Sequence, residues 1–320
     1  MATATATWAE QIRAGDVRAI SRAITAIENG DPEAERILQQ LFPHTGQAFL
    51  IGVTGAPGTG KSSLVDRLAA HYRKPGAGGL HVGIIAVDPT SPFTGGAILG
   101  DRIRMQGHAT DAGIYIRSMA TRGFLGGLAR ATADVALLLD AAGKQVVLIE
   151  TVGVGQDEVD IVRLADCTLV LLVPGLGDDV QSMKAGLMEI GDVFVLNKSD
   201  REGADRLEQQ LRAMLQLAPE RDGWRAPVVR TVATEGKGIE ELAEAIAAFR
   251  SHFDAAGHRP QKRIARWRQR LLELLEARLV GWVVAGRGLA VLDALAAEVA
   301  ERRKDPYTAV EEMLRQAGMK

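Results

Sequence analysis

From Ala48 onward the chain alternates two hydrophobic patterns. Short and nearly unbroken apolar runs, "AFLIGVTG", "LHVGIIAVD", "GIYIRSMA", "KQVVLIETV", "CTLVLLVPG", "DVFVLNKSD" and "APVVRTVAT", are separated by segments with apolar residues at helical spacing. Among the latter are "SSLVDRLAAHY", "LARATADVALLLDAAG" and "EELAEAIAAFRSHF". A strand that is apolar on both faces reads as a parallel strand covered on both sides. The alternation predicts an α/β fold with a doubly wound, mostly parallel sheet, whose ligands lie at the carboxyl ends of the strands.

The flanks follow a different pattern. Asp16 precedes "VRAISRAITAIENG", where Val17, Ile20, Ile24 and Ile27 share one helical face and Gly30 ends it. Asp31-Pro32 then opens a second helix carrying Ile37, Leu38 and Leu41. Beyond Gly257 the strand pattern stops. "RPQKRIARWRQRLLELLEARLVGW" sets Ile264, Trp267, Leu271, Leu274 and Leu275 at helical spacing, and two further helical segments follow, the last opened by Asp305-Pro306. A three-helix appendage of this size buries little alone, so its apolar stripe at Ile264, Trp267, Leu271 and Leu274 predicts a partner surface.

Composition narrows the functional classes. Apolar residues make up 47% of the 320, enough for a substantial core, and 38 Lys and Arg against 40 Asp and Glu give no global attraction to nucleic acid or anionic lipid. The local basic run Lys262, Arg263, Arg266, Arg268 and Arg270 has no interleaved aromatic platform and reads as the solvated face of an amphipathic helix. One cysteine, Cys167, sits at the start of an apolar run and reads as a core thiol in a reducing compartment. No apolar run approaches the ~20 residues of a membrane span, and the N-terminus lacks a secretory pattern. The expectation is a soluble, cytoplasmic protein.

Gly55-Ala56-Pro57-Gly58-Thr59-Gly60-Lys61-Ser62 satisfies G-x-x-x-x-G-K-[ST], with Ser63 next, between an apolar strand and an amphipathic helix. Glycines let backbone N–H groups converge on phosphate oxygens, and the following helix presents its positive end. Lys61 is expected to reach the β and γ phosphates, and the Ser62 hydroxyl to bind Mg²⁺. "VFVLNKSD" ends a later strand with Asn197-Lys198-Ser199-Asp200. A buried Asp200 carboxylate would accept the ring N–H and the exocyclic amine of guanine, a donor pair adenine lacks. Asn197 would tie the segment together, and the Lys198 stem would cover the base. One strand later, Val232-Ala233-Thr234 has the setting of a loop that offers a backbone N–H to the guanine oxygen. "VVLIETVGVGQDE" has the form of a D-x-x-G strand end with Glu150 in the aspartate's place; Glu150 would reach Mg²⁺ through a water and Gly153 would offer its N–H to the γ phosphate. Upstream, Asp88 and Asp101 lie in a Gly/Pro/Thr-rich stretch suited to closing over the metal.

"GAPGTGKS", "VDPTSPFTGGAILGDRIRM", "ETVGVGQDE", "GLGDDVQSMKAG" and "NKSD", in that order, resemble the MeaB/MMAA family of P-loop GTPases, also known as ArgK-type. The resemblance is strong over Ala48–Phe253 and weaker in the flanking helices. It implies an N-terminal helical extension at 1–45, a P-loop GTPase domain at 46–256 and a C-terminal helical dimerisation arm at 257–320. It also implies a chaperone of an adenosylcobalamin-dependent acyl-CoA mutase of the methylmalonyl-CoA mutase type, gating cofactor loading and protecting the enzyme. GTP or GDP and Mg²⁺ would be its ligands, a homodimer its assembly, and neither nucleic acid nor membrane its partner. By matching position, Ser62, Asp88, Asp101 and Glu150 form the magnesium network, and Gly175–Lys184 an extra switch loop. The chain itself holds no D-x-H-x-x-G string for cobalamin, and six scattered histidines with one cysteine make no metal-delivery cluster. After Gly153, where Ras-like proteins carry a water-positioning glutamine, stands Val154; Gln156 lies nearby. Slow hydrolysis is therefore expected until the mutase moves Gln156 or Lys184 towards the γ phosphate. Two other readings compete: an ATP- or GTP-dependent kinase linked to amino-acid transport, and a protein-targeting GTPase.

Overall fold

The computed structural model describes residues 2–88, 106–108, 110–120, 127–151, 164–175, 190–218, 220–255, 257–284, 288–316 and 318. Each of the seven apolar runs is a strand: β1 (Phe49–Gly55), β2 (Val82–Asp88), β3 (Ile114–Ala120), β4 (Val146–Glu150), β5 (Cys167–Leu172), β6 (Val193–Asn197) and β7 (Val228–Thr231). They form one sheet in the order β3-β2-β4-β1-β5-β6-β7, with every neighbouring pair parallel. Parallel pairing brings all carboxyl ends to one edge. Register then sets the site's spacing, because Val53 stands beside Glu150, Gly55 beside Leu171, and Asn197 beside Thr231.

Side chains alternate across each strand, and both faces are covered. Phe49, Ile51, Val53, Ile84, Leu148 and Leu169 enter one apolar cluster with Leu64, Val65 and Leu68 of α4 (Lys61–Arg73) and Leu242, Ile246 and Phe249 of the helix at Ile239–Ala255. Leu50, Ile85, Val87, Val147 and Ile149 enter the opposite cluster. That face is covered by α1 (Ala2–Arg13), α2 (Val17–Asn29), α3 (Pro32–Leu41) and α5 (Gly127–Ala141), through Ile12, Ile20, Ile24, Ile37 and Leu138. Beyond it, Val170, Phe194 and Leu196 pack on Leu207 and Leu211 of α6 (Ala204–Leu217). The helix at Ile239–Ala255 is α7.

Helices α2 and α3 form where the sequence predicts them, and polar contacts fasten the N-terminal helices as well. Asp16 accepts from the Ala19 N–H at 2.7 Å, and Gly30 ends α2 in the left-handed region at φ 70°. Asp31 occupies the cap position of α3 without a side-chain cap bond, and that start is set by Pro32 with Glu33 and Glu35 in the first turn. The Trp8 indole N–H donates to Ala19 O at 3.0 Å, the Ser21 and Tyr115 hydroxyls lie 3.1 Å apart, and Arg117 of β3 pairs with Glu28.

The chain divides into two compact units, Met1–His258 and Arg259–Lys320. The second holds most of α8 (His258–Val284), with α9 (Gly288–Ala300) and α10 (Pro306–Gln316). Asp305 caps α10 by accepting from the Tyr307 and Thr308 N–H groups, each at 3.0 Å. Along α8 the predicted stripe is only half right: Ile264 and Leu271 are 68% and 63% exposed, but Trp267 and Leu274 are half-buried. The exposed apolar face runs instead through Ile264, Leu271, Leu275 and Trp282. The basic run is not wholly solvated either, because Arg270 is buried and paired with Glu273 at 3.7 Å. No single helix among the described residues is long and apolar enough to cross a membrane.

Candidate functional site

The carboxyl edge of the sheet collects the described candidate residues. β1 ends at Gly55, and the chain crosses Ala56, Pro57 and Gly58, exposed at the crest, before α4 begins at Lys61. Two glycines are required by contact as well as conformation. A Cβ on Gly55 (φ 147°) would lie 2.5 Å from Leu171 O, and one on Gly60 (φ 90°) would lie 2.6 Å from Asn197 Nδ2. Thr59 tightens the turn by donating its hydroxyl to Ala56 O at 2.8 Å. Gly60 is the N-cap of α4 and supplies no side-chain cap, and the first turn carries no acidic residue. The positive end of α4 therefore carries no carboxylate of its own and favours an anion. This cradle fits a nucleotide's phosphates.

Lys61 and Ser62 are both buried. The Lys61 ammonium donates to Gly55 O at 2.8 Å and Ala56 O at 3.2 Å, folded onto carbonyls of its own loop. The Ser62 hydroxyl donates to Glu150 Oε1 at 2.7 Å, across from the end of β4. The longer glutamate thus meets the serine directly. Two hard oxygens so placed are the donor type that Mg²⁺ takes, with water and phosphate completing its octahedron. The residues present fit that ion.

The Asn197–Asp200 segment is joined to the phosphate loop through an amide and an ammonium. Asn197, 2% exposed at the end of β6, donates from Nδ2 to Thr59 O at 2.8 Å. Its Oδ1 accepts from the Thr231 hydroxyl at 3.0 Å and from the Ala233 N–H at 3.1 Å. One side chain thus holds two separate stretches of chain, at Thr59 and at Thr231–Ala233. Lys198 adopts a left-handed backbone at φ 54° and reaches back to Gly58 O at 2.7 Å, which lays its stem over the loop. Asp200 departs from expectation. It is exposed, so its carboxylate is not buried by the fold and would be desolvated only under a bound base. Lys237 stands near it: its ammonium is raised above the usual lysine range, first by the hydrogen bond to Glu235 and more weakly by the Asp200 charge.

Val232, Ala233 and Thr234 follow β7, with a short 3₁₀ turn at Ala233–Glu235. The Val232 N–H pairs with Lys237 O at 3.0 Å. Arg67 of α4, which sequence reasoning passed over, donates to Ala233 O at 3.1 Å and Thr234 O at 3.0 Å. Its partners are backbone carbonyls, which leave no residue signature. Ser63 is half-buried in the first turn of α4. Asp88 closes β2, its backbone paired with Ala120, while its side chain lies outside the described residues. Asp101, Gly153, Gln156 and Lys184 also lie outside them.

The chain is similar to known proteins over most of its length. The family model described as "Methylmalonyl Co-A mutase-associated GTPase MeaB" matches residues 20–287. A Pyrococcus abyssi protein is 49% identical over 96% of this chain and 95% of its own. The GTPase ArgK of Escherichia coli is 37% identical over 81% and 80%, and the mitochondrial methylmalonic aciduria type A homolog of Caenorhabditis elegans 31% identical over 81% and 69%. A crystal structure described as a LAO/AO transport system kinase covers 99% of this chain and 98% of its own at TM-score 0.73 and 27% identity. The match to residues 20–287 covers most of the chain, and the chain belongs to the MeaB family of P-loop GTPases.

Proposed function

We propose that this protein binds GTP and Mg²⁺, hydrolyses GTP slowly when alone, and acts as a chaperone of an adenosylcobalamin-dependent acyl-CoA mutase. The observation that carries the reading is the convergence on one sheet edge of the Lys61–Ser62–Glu150 group and the Asn197–Asp200 segment. The family's description and the name of the nematode relative support the mutase as client. Ser62 and Glu150 would hold Mg²⁺, with Asp88 and Asp101 completing the network, and bound Mg²⁺ would draw charge from the β and γ phosphates. Lys61 would leave its two carbonyls for those phosphates. Asp200 would accept from the guanine edge. Nothing in this set orients an attacking water, and position 154 is valine. A timer released by its client follows, with Gln156 or Lys184 as the group the client moves.

Single-turnover GTP hydrolysis, with and without a methylmalonyl-CoA mutase, tests the reading. The expected outcome is hydrolysis over minutes by the free protein, acceleration by the mutase, and loss of that acceleration in Gln156→Ala or Lys184→Ala. Fast turnover indifferent to the mutase would refute it. The kinase reading keeps some support from the name of the solved relative. It requires phosphate to appear on an acceptor instead of in solution, and a tolerance for ATP.

Homodimerisation belongs to the same proposal. Ile264, Leu271, Leu275 and Trp282 leave an apolar face along α8 more than half exposed, and an open groove lies along Gln261, Ile264, Ala265, Arg268, Gln269 and Leu272. The double variant Ile264→Glu, Leu271→Glu should be monomeric by light scattering and retain GDP binding. A variant that stays dimeric would move the interface off this face.

A further inference from the structure

Arg67 sits on the helix whose first turn carries Lys61 and Ser62, yet its guanidinium serves the base side. Nε donates to Ala233 O at 3.1 Å and Nη2 to Thr234 O at 3.0 Å. These nitrogens form one edge of a rigid planar fork, so two successive carbonyls are held in a fixed relation. From the other side, Asn197 Oδ1 accepts the Ala233 N–H at 3.1 Å. A trans peptide is planar, with its C=O and N–H opposed. Fixing the Ala233 and Thr234 carbonyls therefore also fixes the direction of the N–H groups of Thr234 and Glu235. The Glu235 N–H is spent within the turn on Val232 O at 2.9 Å. The Thr234 N–H, opposed to the Ala233 carbonyl in the same peptide, is turned away from the Arg67 guanidinium.

We propose that Arg67 is a specificity-determining positioning residue, whose grip on the Ala233 and Thr234 carbonyls aims the backbone N–H that reads the 6-oxygen of guanine. The proposal rests on the guanine reading given above. Arg67 is exposed, so water can satisfy both carbonyls when the side chain is removed. What is lost is the aim of the loop, since the fold keeps its buried core without this side chain. The same helix then holds phosphate at its start and orients base recognition further along.

The test is calorimetric titration of wild type, Arg67→Ala and Arg67→Gln with GDP, 6-thioguanosine diphosphate and ADP. The thio analogue keeps the ring N–H and amine that Asp200 reads and replaces the 6-oxygen with sulfur, a poor acceptor. Arg67→Ala should lower GDP affinity about tenfold, the size of one lost hydrogen bond. The analogue should lose much less, so the preference for GDP narrows, while the melting temperature without nucleotide stays unchanged. Arg67→Gln, keeping one donor, should fall between. Equal losses for GDP and the thio analogue, or no loss for either, would overturn the role of Arg67 and leave the guanine reading standing. Wild type that binds ADP as tightly as GDP would overturn the guanine reading itself.

Discussion

Lys61→Ala lowers GTP hydrolysis by at least about a hundredfold, the scale of removing one preorganised group from a developing anionic charge. The ammonium is buried and held on Gly55 O and Ala56 O, so it needs no reorganisation beyond a short swing to meet phosphate. Its removal has a second effect, because those two carbonyls lose the cation that draws them together. GDP binding should therefore fall too, but by less than hydrolysis, since GDP lacks the γ phosphate. Measuring kcat beside GDP affinity separates these effects. Equal losses in both would make Lys61 a loop fastener alone, and unchanged hydrolysis would remove it from the site.

Asp200→Asn weakens GDP by about 2 kcal/mol, or roughly thirtyfold, the usual size of hydrogen bonds made to a charged acceptor. Asp200 is exposed, so the penalty arises in the complex, where the bound base shields the pair from water. The asparagine amide would also present a donor to guanine's own donors. Xanthine, with an oxygen where guanine has its amine, would accept from that amide and should gain affinity in the variant. Competition among GDP, XDP and ADP reads this directly. If Asp200→Asn leaves the ranking unchanged, the base is recognised elsewhere.

The five inner strands were legible because a parallel strand buried on both faces must be apolar at nearly every position, and "CTLVLLV" has no other economical use. The phosphate loop was legible for a related reason: only glycine tolerates the approach of Leu171 O to Gly55. Other features lacked such a signature. The "ATATAT" opening of α1 is rich in β-branched threonine, so its helix is held by tertiary burial of Trp8 and Ile12, which no local pattern announces. Arg67 reads in sequence as one more solvated helix residue, because carbonyl partners have no residue identity. Arg270 reads the same way in its basic run, yet it is buried beside Glu273. The exposure of Asp200 was hidden for the converse reason, since motif spacing fixes which residue meets a base and says little about what covers it beforehand.

The packing of α1, α2 and α3 on the sheet also orders events during synthesis. Ile12, Ile24 and Ile37 bury against a face that includes Leu50, Ile85, Tyr115, Leu138 and Val147. That face has no continuous surface until β4 has emerged from the ribosome and inserted between β1 and β2. Helices α1 to α3 precede β4 by more than a hundred residues, so their apolar stripe must wait uncovered through that length of elongation. At about 5–20 residues per second this is an interval of several seconds or more. A segment translated ahead of the sheet is thus sheltered only once the sheet is complete, and until then its apolar stripe is open to chaperone capture.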